Sequence, residues 1–329
     1  VGYGITGNDD IEPAFTDWYN PGAKTLWANS IVSGVKLAGL GNQNLTWEKQ
    51  EDINVGIDFG LYDGRISGSI EYFNREISNI LGHRGLPTYN PITYIRANLD
   101  AIKQTYGFEA TLNTKNIQSN NFSWNSQITF TYYRDRWLKR DPTYNYSIYE
   151  REKQYFGELW YYKSDGLVPV GGENPLNRIP GTVKILDVNG YALDSDGNRI
   201  VDDKGKPQYA GEPDGRIDDA DLVKVGVNTP YTIGLSNTFN YKRFNLSVYT
   251  YGVFNRWKTN LVEQNFGGAH ANNVVNPGMN VVKDVLDRWN SDYQEGTEPS
   301  ALQEFASYGV GDFFLEKAWF IRIQNITMG

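Results

Sequence analysis

Five oxygen-bearing side chains in the middle of the sequence have the spacing of a cation-binding loop that has been split in two. Asp187-Val188-Asn189-Gly190 has the form of the first half of an EF-hand-like loop, and Asp214-Gly215-Arg216-Ile217-Asp218-Asp219-Ala220-Asp221 has that of the second, with residues 191–213 inserted between them. Spliced together, they place Asp187, Asn189, Asp214, Asp218 and Asp221 at loop positions 1, 3, 5, 9 and 12, with Gly215 at position 6 and Ile217 at position 8. Oxygen donors in that order suit a hard cation such as Ca²⁺. The alternative is that these residues only make solvated turns, as Asp, Asn and Gly readily do. Asp194-Ser195-Asp196-Gly197-Asn198 is a weaker cation motif, because its Gly falls at the fourth position, and reads as a hairpin tip.

Bond-breaking chemistry finds no support. His83 and His270 are the two histidines and fall in separate long links, so neither a histidine metal cluster nor a Ser-His-Asp arrangement is indicated. The absence of Cys excludes thiolate chemistry and disulfides. The adjacent acids Asp9-Asp10 and Asp202-Asp203 read as solvated turns. The protein is therefore read as a non-enzyme. Substrate contact is expected from aromatic rings, because sugar rings stack on flat apolar faces and peptides pack against them. The candidates are Trp18, Tyr19, Trp27, Tyr89, Tyr94, Trp160, Tyr161, Tyr162 and Trp257, and for each one loop packing is the competing role. A net charge of −8 without a long basic run argues against nucleic acid as the main partner.

The elements that must position these residues are strands. No apolar stretch approaches the ~20 residues of a spanning helix, whereas strict alternation of apolar and polar residues recurs along the chain. In Ile53-Asn54-Val55-Gly56-Ile57-Asp58-Phe59-Gly60-Leu61 every odd position is apolar. Tyr62-Asp63-Gly64 then supplies a type I′-like turn into the alternating Ile66–Tyr72 segment. Two further hairpins, 108–132 and 231–248, repeat the design, and the alternation of the last stretch slips phase near Asn325. Strands are expected near residues 1–7, 46–60, 65–76, 104–114, 122–133, 229–241, 244–256 and 314–329. Between them lie short turns at one end and long polar links, 77–103, 134–228 and 257–312, at the other. Aromatics are expected to gird the short-turn end: Tyr72 and Phe73, Phe122 and Trp124, Phe239, Tyr241 and Phe244. Asp58 and Glu71 would face a wet interior.

Long strands with this asymmetry of turns point to an all-β fold, an antiparallel transmembrane β-barrel with long extracellular loops, of which 134–228 is the longest. A β-sandwich also alternates, but its strands are usually shorter, ~5–6 residues. In lipid an open sheet edge is not tolerated, so the eight strands are expected to be an arc of a larger barrel and the chain a part of something longer.

The sequence also resembles the SusC/RagA group of TonB-dependent outer-membrane transporters. The resemblance rests on Gly4-Ile5-Thr6-Gly7-Asn8, on Leu45-Thr46-Trp47-Glu48-Lys49 followed by Asn54-Val55-Gly56-Ile57-Asp58-Phe59, and on Gly64–Tyr72. It continues in Phe313, Leu315-Glu316-Lys317-Ala318 and Arg322–Thr327, and so covers nearly the whole chain. It implies the C-terminal portion of a plugged barrel of about 22 strands, importing oligosaccharides or peptides with energy delivered through TonB. It further implies a SusD-like surface lipoprotein over the outer mouth, outer-membrane lipid around the wall, and some cation in the first acidic loop. Two alternatives stay open: a TonB-dependent siderophore receptor, and a secreted soluble glycan-binding β protein.

Overall fold

The computed structural model describes the chain except at residues 10–14, 91, 144–152, 172–177, 204, 206, 267–281 and 301–308. Eight strands form one sheet in which each lies beside the next in sequence. They are β1 (Gly2–Asn8), β2 (Glu48–Leu61), β3 (Ile66–Ser78), β4 (Ile102–Gln118), β5 (Phe122–Lys139), β6 (Tyr231–Tyr241), β7 (Phe244–Phe254) and β8 (Phe320–Met328). The pairings from β1 through β6 are antiparallel. Each strand overlaps one of the eight expected segments. Two run longer than expected, β4 to Gln118 and β5 to Lys139, because alternation stops being apolar/polar before hydrogen bonding stops. The last one is shorter: Leu315–Lys317 pairs with Trp257–Thr259 outside the main sheet, and β8 begins only at Phe320.

The turns explain the registers. Between β2 and β3, Asp63 and Gly64 are both left-handed (φ 52° and 75°), and the Arg65 N–H donates to the Tyr62 carbonyl at 3.1 Å. With Tyr62 also left-handed (φ 55°), this is a type I′-like turn, whose twist suits the flanking strands. It pairs Leu61 with Ile66, and this single match fixes which side chains share a face from there on.

Reading across the registers gives two different faces. One carries rows of Val55, Tyr72, Phe108, Tyr132 and Tyr231, then Ile57, Ile70, Ala110, Phe130 and Ile233, then Phe59, Gly68, Leu112, Ile128 and Leu235. The other carries Gly56, Glu71, Glu109, Thr131 and Thr232, then Asp58, Ser69, Thr111, Thr129 and Gly234. Among the described residues no protein covers the centre of this apolar face: Ile57 is 69 % exposed and Ile70 54 %. Leaving an aliphatic side chain in water costs about 1.5–3 kcal/mol relative to burial, so a sheet with rows of them requires an apolar surrounding.

Aromatic rings bound that apolar band at both ends. Trp124 and Phe239 stack at 5.6 Å beside the short turns, with Phe122 and Tyr241 paired two residues nearer the turn. Tyr72 does not join them, contrary to expectation. It lies six residues into β3 from Ile66, against Phe108 at 5.1 Å, in the row at the other end of the band. From the Phe239 row to the Tyr231 row is eight residues of β6, about 27 Å along a strand and roughly 20 Å after tilting, close to the ~25 Å apolar band of outer-membrane barrels. The polar groups within this span bond to one another. Asn237 Oδ1 accepts from Trp124 Nε1 (2.9 Å) and Ser126 Oγ (2.6 Å), and Ser126 accepts from Asn116 (2.7 Å).

Residues 158–229 and 254–320 make a second compact unit. Its core contains Val168, Val183, Ile185, Tyr191, Ala220 and Phe314. Short strands organise it, Glu158–Tyr162 with Leu222–Val227 and Ser164–Leu167 with Val183–Ile185. No helix among the described residues is long and apolar enough to cross a membrane.

Candidate functional site

Two hairpins in the links after β1 and β3 carry several of the aromatic candidates. The first, Trp18–Trp27 with Ser30–Gly39, turns at Ala28-Asn29, both left-handed (φ 47° and 61°). Its register shifts between Pro21 and Ala23, where proline has no N–H to give the ladder. The second, Ile80–Gly85 with Tyr94–Leu99, follows β3 through a single left-handed residue, Asn79 (φ 54°). Asn98 pins it: the side-chain amide donates to the carbonyls of Thr46 (2.7 Å) and Asn79 (2.9 Å), and its Oδ1 accepts from the Thr46 N–H. Asp141, 1 % exposed, accepts from the Asp100 N–H at 2.7 Å and from both the N–H and hydroxyl of Thr143. Burial works to raise its carboxyl, but these bonds and Arg84 together hold it below the usual carboxylate range.

Between the hairpins lies a cavity of about 300 Å³ walled by Trp18, Lys36, Tyr94 and Arg96, with Asn20 and Thr93 among its polar groups. Trp18 rests on the bare backbone of Gly39, which leaves no room for a Cβ there. Tyr94 is held from the other side by His83, with ring centroids 4.3 Å apart. The remaining aromatics of these links are more open: Tyr19 is 57 % exposed, Trp27 at the hairpin tip 74 % and Tyr89 85 %. His270 lies outside the described residues, as does Asp10.

In the second unit Trp160, Tyr161, Tyr162 and Trp257 are each half-buried. Trp257 lies against Gly226, where an added Cβ would come within 3.0 Å of its ring. The Tyr162 hydroxyl reaches Asp219 at 3.5 Å, and burial with the neighbouring Asp219 and Asp218 pushes it up to about 12. Trp160 Nε1 donates to Glu158 at 3.3 Å.

The split acidic loop is brought together by the fold. Asp221, fully buried, accepts the N–H groups of Val188 (2.8 Å), Asn189 (3.2 Å) and Asp218 (2.9 Å), so it joins the two halves. Asp187 accepts from Asp214 N and, at 2.6 Å, Gly215 N; Asn189 accepts from Gly211 N at 2.7 Å; Asp218 caps a short 3₁₀ turn. Burial pushes the Asp221 carboxyl up, its N–H bonds oppose this, and Asp187 adds to the rise. The side chains expected as cation ligands thus also accept backbone N–H groups within the loop, which leaves their oxygens further lone pairs, and among the described residues no three His, Cys, Asp or Glu side chains converge as a metal set. The weaker motif is a hairpin tip, as expected. Asp194 Oδ1 accepts from Asp196 N and Asn198 N, and Gly197 is left-handed (φ 81°).

No family profile matches the chain. Among curated proteins it is 27% identical to the TonB-dependent receptor SusC of Bacteroides thetaiotaomicron, over all of this chain and 31% of that one. Its relatives are TonB-dependent receptors. TonB-dependent receptor P3 of Formosa agariphila is 23% identical over 99% of this chain and 31% of its own length, and P39 of the same organism is 30% identical over half of this chain. A solved RagAB peptide transporter superposes with a TM-score of 0.69 at 20% identity, covering 99% of this chain and 33% of that one. The chain therefore spans about a third of the length of SusC, of P3 and of the RagAB chain.

The aromatic candidates lie in several separate links of the sequence. The fold brings Trp18 and Tyr94 to one cavity, and adds Lys36 and Arg96, for which the sequence offers no signal. No motif marks those two. Lys36 and Arg96 are far apart in sequence and line one cavity because it lies between two hairpins.

Proposed function

We propose that this chain is part of the wall of an outer-membrane β-barrel that imports large nutrients, oligosaccharides or peptides. A SusD-like lipoprotein sits at its outer mouth and TonB supplies the energy. The observation that carries this reading is the eight-stranded sheet with an uncovered apolar face, a polar opposite face, and aromatic rows at both margins of the apolar band. A water-soluble sheet would have to hide that face against other protein. The names of the relatives, TonB-dependent receptors and a peptide transporter, support the same reading. Binding and passage need no bond to be made or broken.

The test is gel migration of the native protein from washed outer membranes, boiled and unboiled, paired with nutrient uptake in cells carrying or lacking it. A heat-dependent shift together with energy-dependent uptake supports the proposal; a soluble band that does not shift overturns it. Calcium in the acidic loop is part of the proposal on narrower grounds: five oxygen-bearing side chains lie in one bonded loop, and the rise of the Asp221 carboxyl would be offset by a divalent cation. Calcium chloride should then protect residues 187–221 from proteolysis and a chelator should expose them. Equal cleavage in both removes the cation and leaves the transport reading standing.

A further inference from the structure

The cavity between the two hairpins has a chemistry more specific than nutrient binding in general. At about 300 Å³ it is at the small end of ligand pockets, a size for one ring and its substituents. Two aromatic rings, Trp18 and Tyr94, form apolar walls, while Asn20 and Thr93 offer amide and hydroxyl groups that can donate and accept. That combination fits a sugar ring, which has apolar C–H faces and hydroxyl edges, better than the flexible side chain of a peptide. The wall also holds Lys36 and Arg96 and no carboxylate among its described residues. Lys36 is exposed and makes no ion pair among the described residues, so its ammonium is available to an anion.

We infer that this cavity binds one acidic sugar unit of a glycan, its ring against Trp18 and Tyr94 and its anionic group, a carboxylate or a sulfate ester, on Lys36 with Arg96 nearby. The inference rests on the import reading and names the substrate class within it. Gly39 is a positioning residue, since it sets where the Trp18 ring lies.

The experiment is calorimetric titration of the native detergent-purified protein, its barrel first verified by the heat-dependent gel shift. The probes are tetragalacturonate, a sulfated galactan tetrasaccharide, maltotetraose and tetraglutamate. At least one anionic sugar should bind about 10-fold or more tighter than maltotetraose, and the better of the two identifies the anion. Lys36→Gln should cut that affinity at least about fivefold and by more than it changes maltotetraose binding, and Lys36→Arg should restore most of it. The inference is overturned if neither anionic sugar binds, if charged and uncharged sugars bind alike, if Lys36→Gln has no effect, or if tetraglutamate binds as tightly as the sugars. A protein that shifts on gels and imports only neutral sugars would sink this inference alone; one that does not shift would sink the import reading itself.

Discussion

Asp312 and Glu298 show how single carboxyls hold the second unit with opposite responses to pH. Asp312 accepts from the Ser164 N–H (2.7 Å), the Ser164 hydroxyl (2.6 Å) and Lys163 (2.7 Å). Burial works to raise its carboxyl, but these bonds bring it below the usual range. A lowered folded value means that its stabilisation is present above the unfolded value near 3.8 and is lost as pH falls through the folded one. Asp312→Ala should leave the Ser164 N–H and the Lys163 ammonium unpaired and cost about 1–3 kcal/mol locally, seen as faster hydrogen exchange over residues 160–167. Glu298 behaves oppositely. Burial, and then Glu263, Asp284 and Asp287, push it up to about 6, and its buried Oε2 has no hydrogen-bond partner among the described residues. Its contribution is complete below about 4.5 and disappears as pH rises through about 6. Residues 282–300 should therefore exchange more readily at pH 7 than at pH 4.5 after correction for intrinsic rates, and Glu298→Gln should remove that difference.

At the scale of elements, the turn and the face are the testable quantities. Gly64 sits at φ 75°, so Gly64→Val should cost about 1–2 kcal/mol and weaken the β2–β3 register, read as a lower urea midpoint for folding into vesicles. Ile70→Lys places a charge on the apolar face and should cost about 2–4 kcal/mol in the same assay, whereas Thr129→Lys on the polar face should cost far less. Equal losses would mean that the two faces meet the same surroundings. These strands were legible in the sequence because a period of two with an Asp-Gly turn leaves little freedom of register. The hairpin Trp18–Trp27/Ser30–Gly39 was not, since Pro21 and Gly22 break its alternation and its left-handed turn uses Ala28-Asn29 without a glycine. Tyr72 was assigned to the wrong margin because adjacency in sequence does not say how far into a strand a ring lies. The acidic loop was half legible: spacing brought Asp187 and Asp221 into one loop, but the N–H groups that occupy their oxygens depend on backbone folding that spacing does not specify.

For the whole molecule, the central claim is that the apolar face of the sheet lies in lipid. The chain has no cysteine, so once any cysteine elsewhere in the full-length protein is replaced by serine, single substitutions Val55→Cys, Gly56→Cys, Ile57→Cys, Asp58→Cys and Phe59→Cys can each carry one spin label in that protein in lipid vesicles. The measurement is the accessibility of each label to molecular oxygen, which concentrates in hydrocarbon, against a water-soluble nickel chelate. The account predicts strict alternation, with oxygen favoured at positions 55, 57 and 59 and low oxygen accessibility at 56 and 58, because successive side chains of a strand point to opposite faces. Labels at 55, 57 and 59 that meet the nickel chelate as freely as exposed loop residues, or that show no alternation, would contradict it.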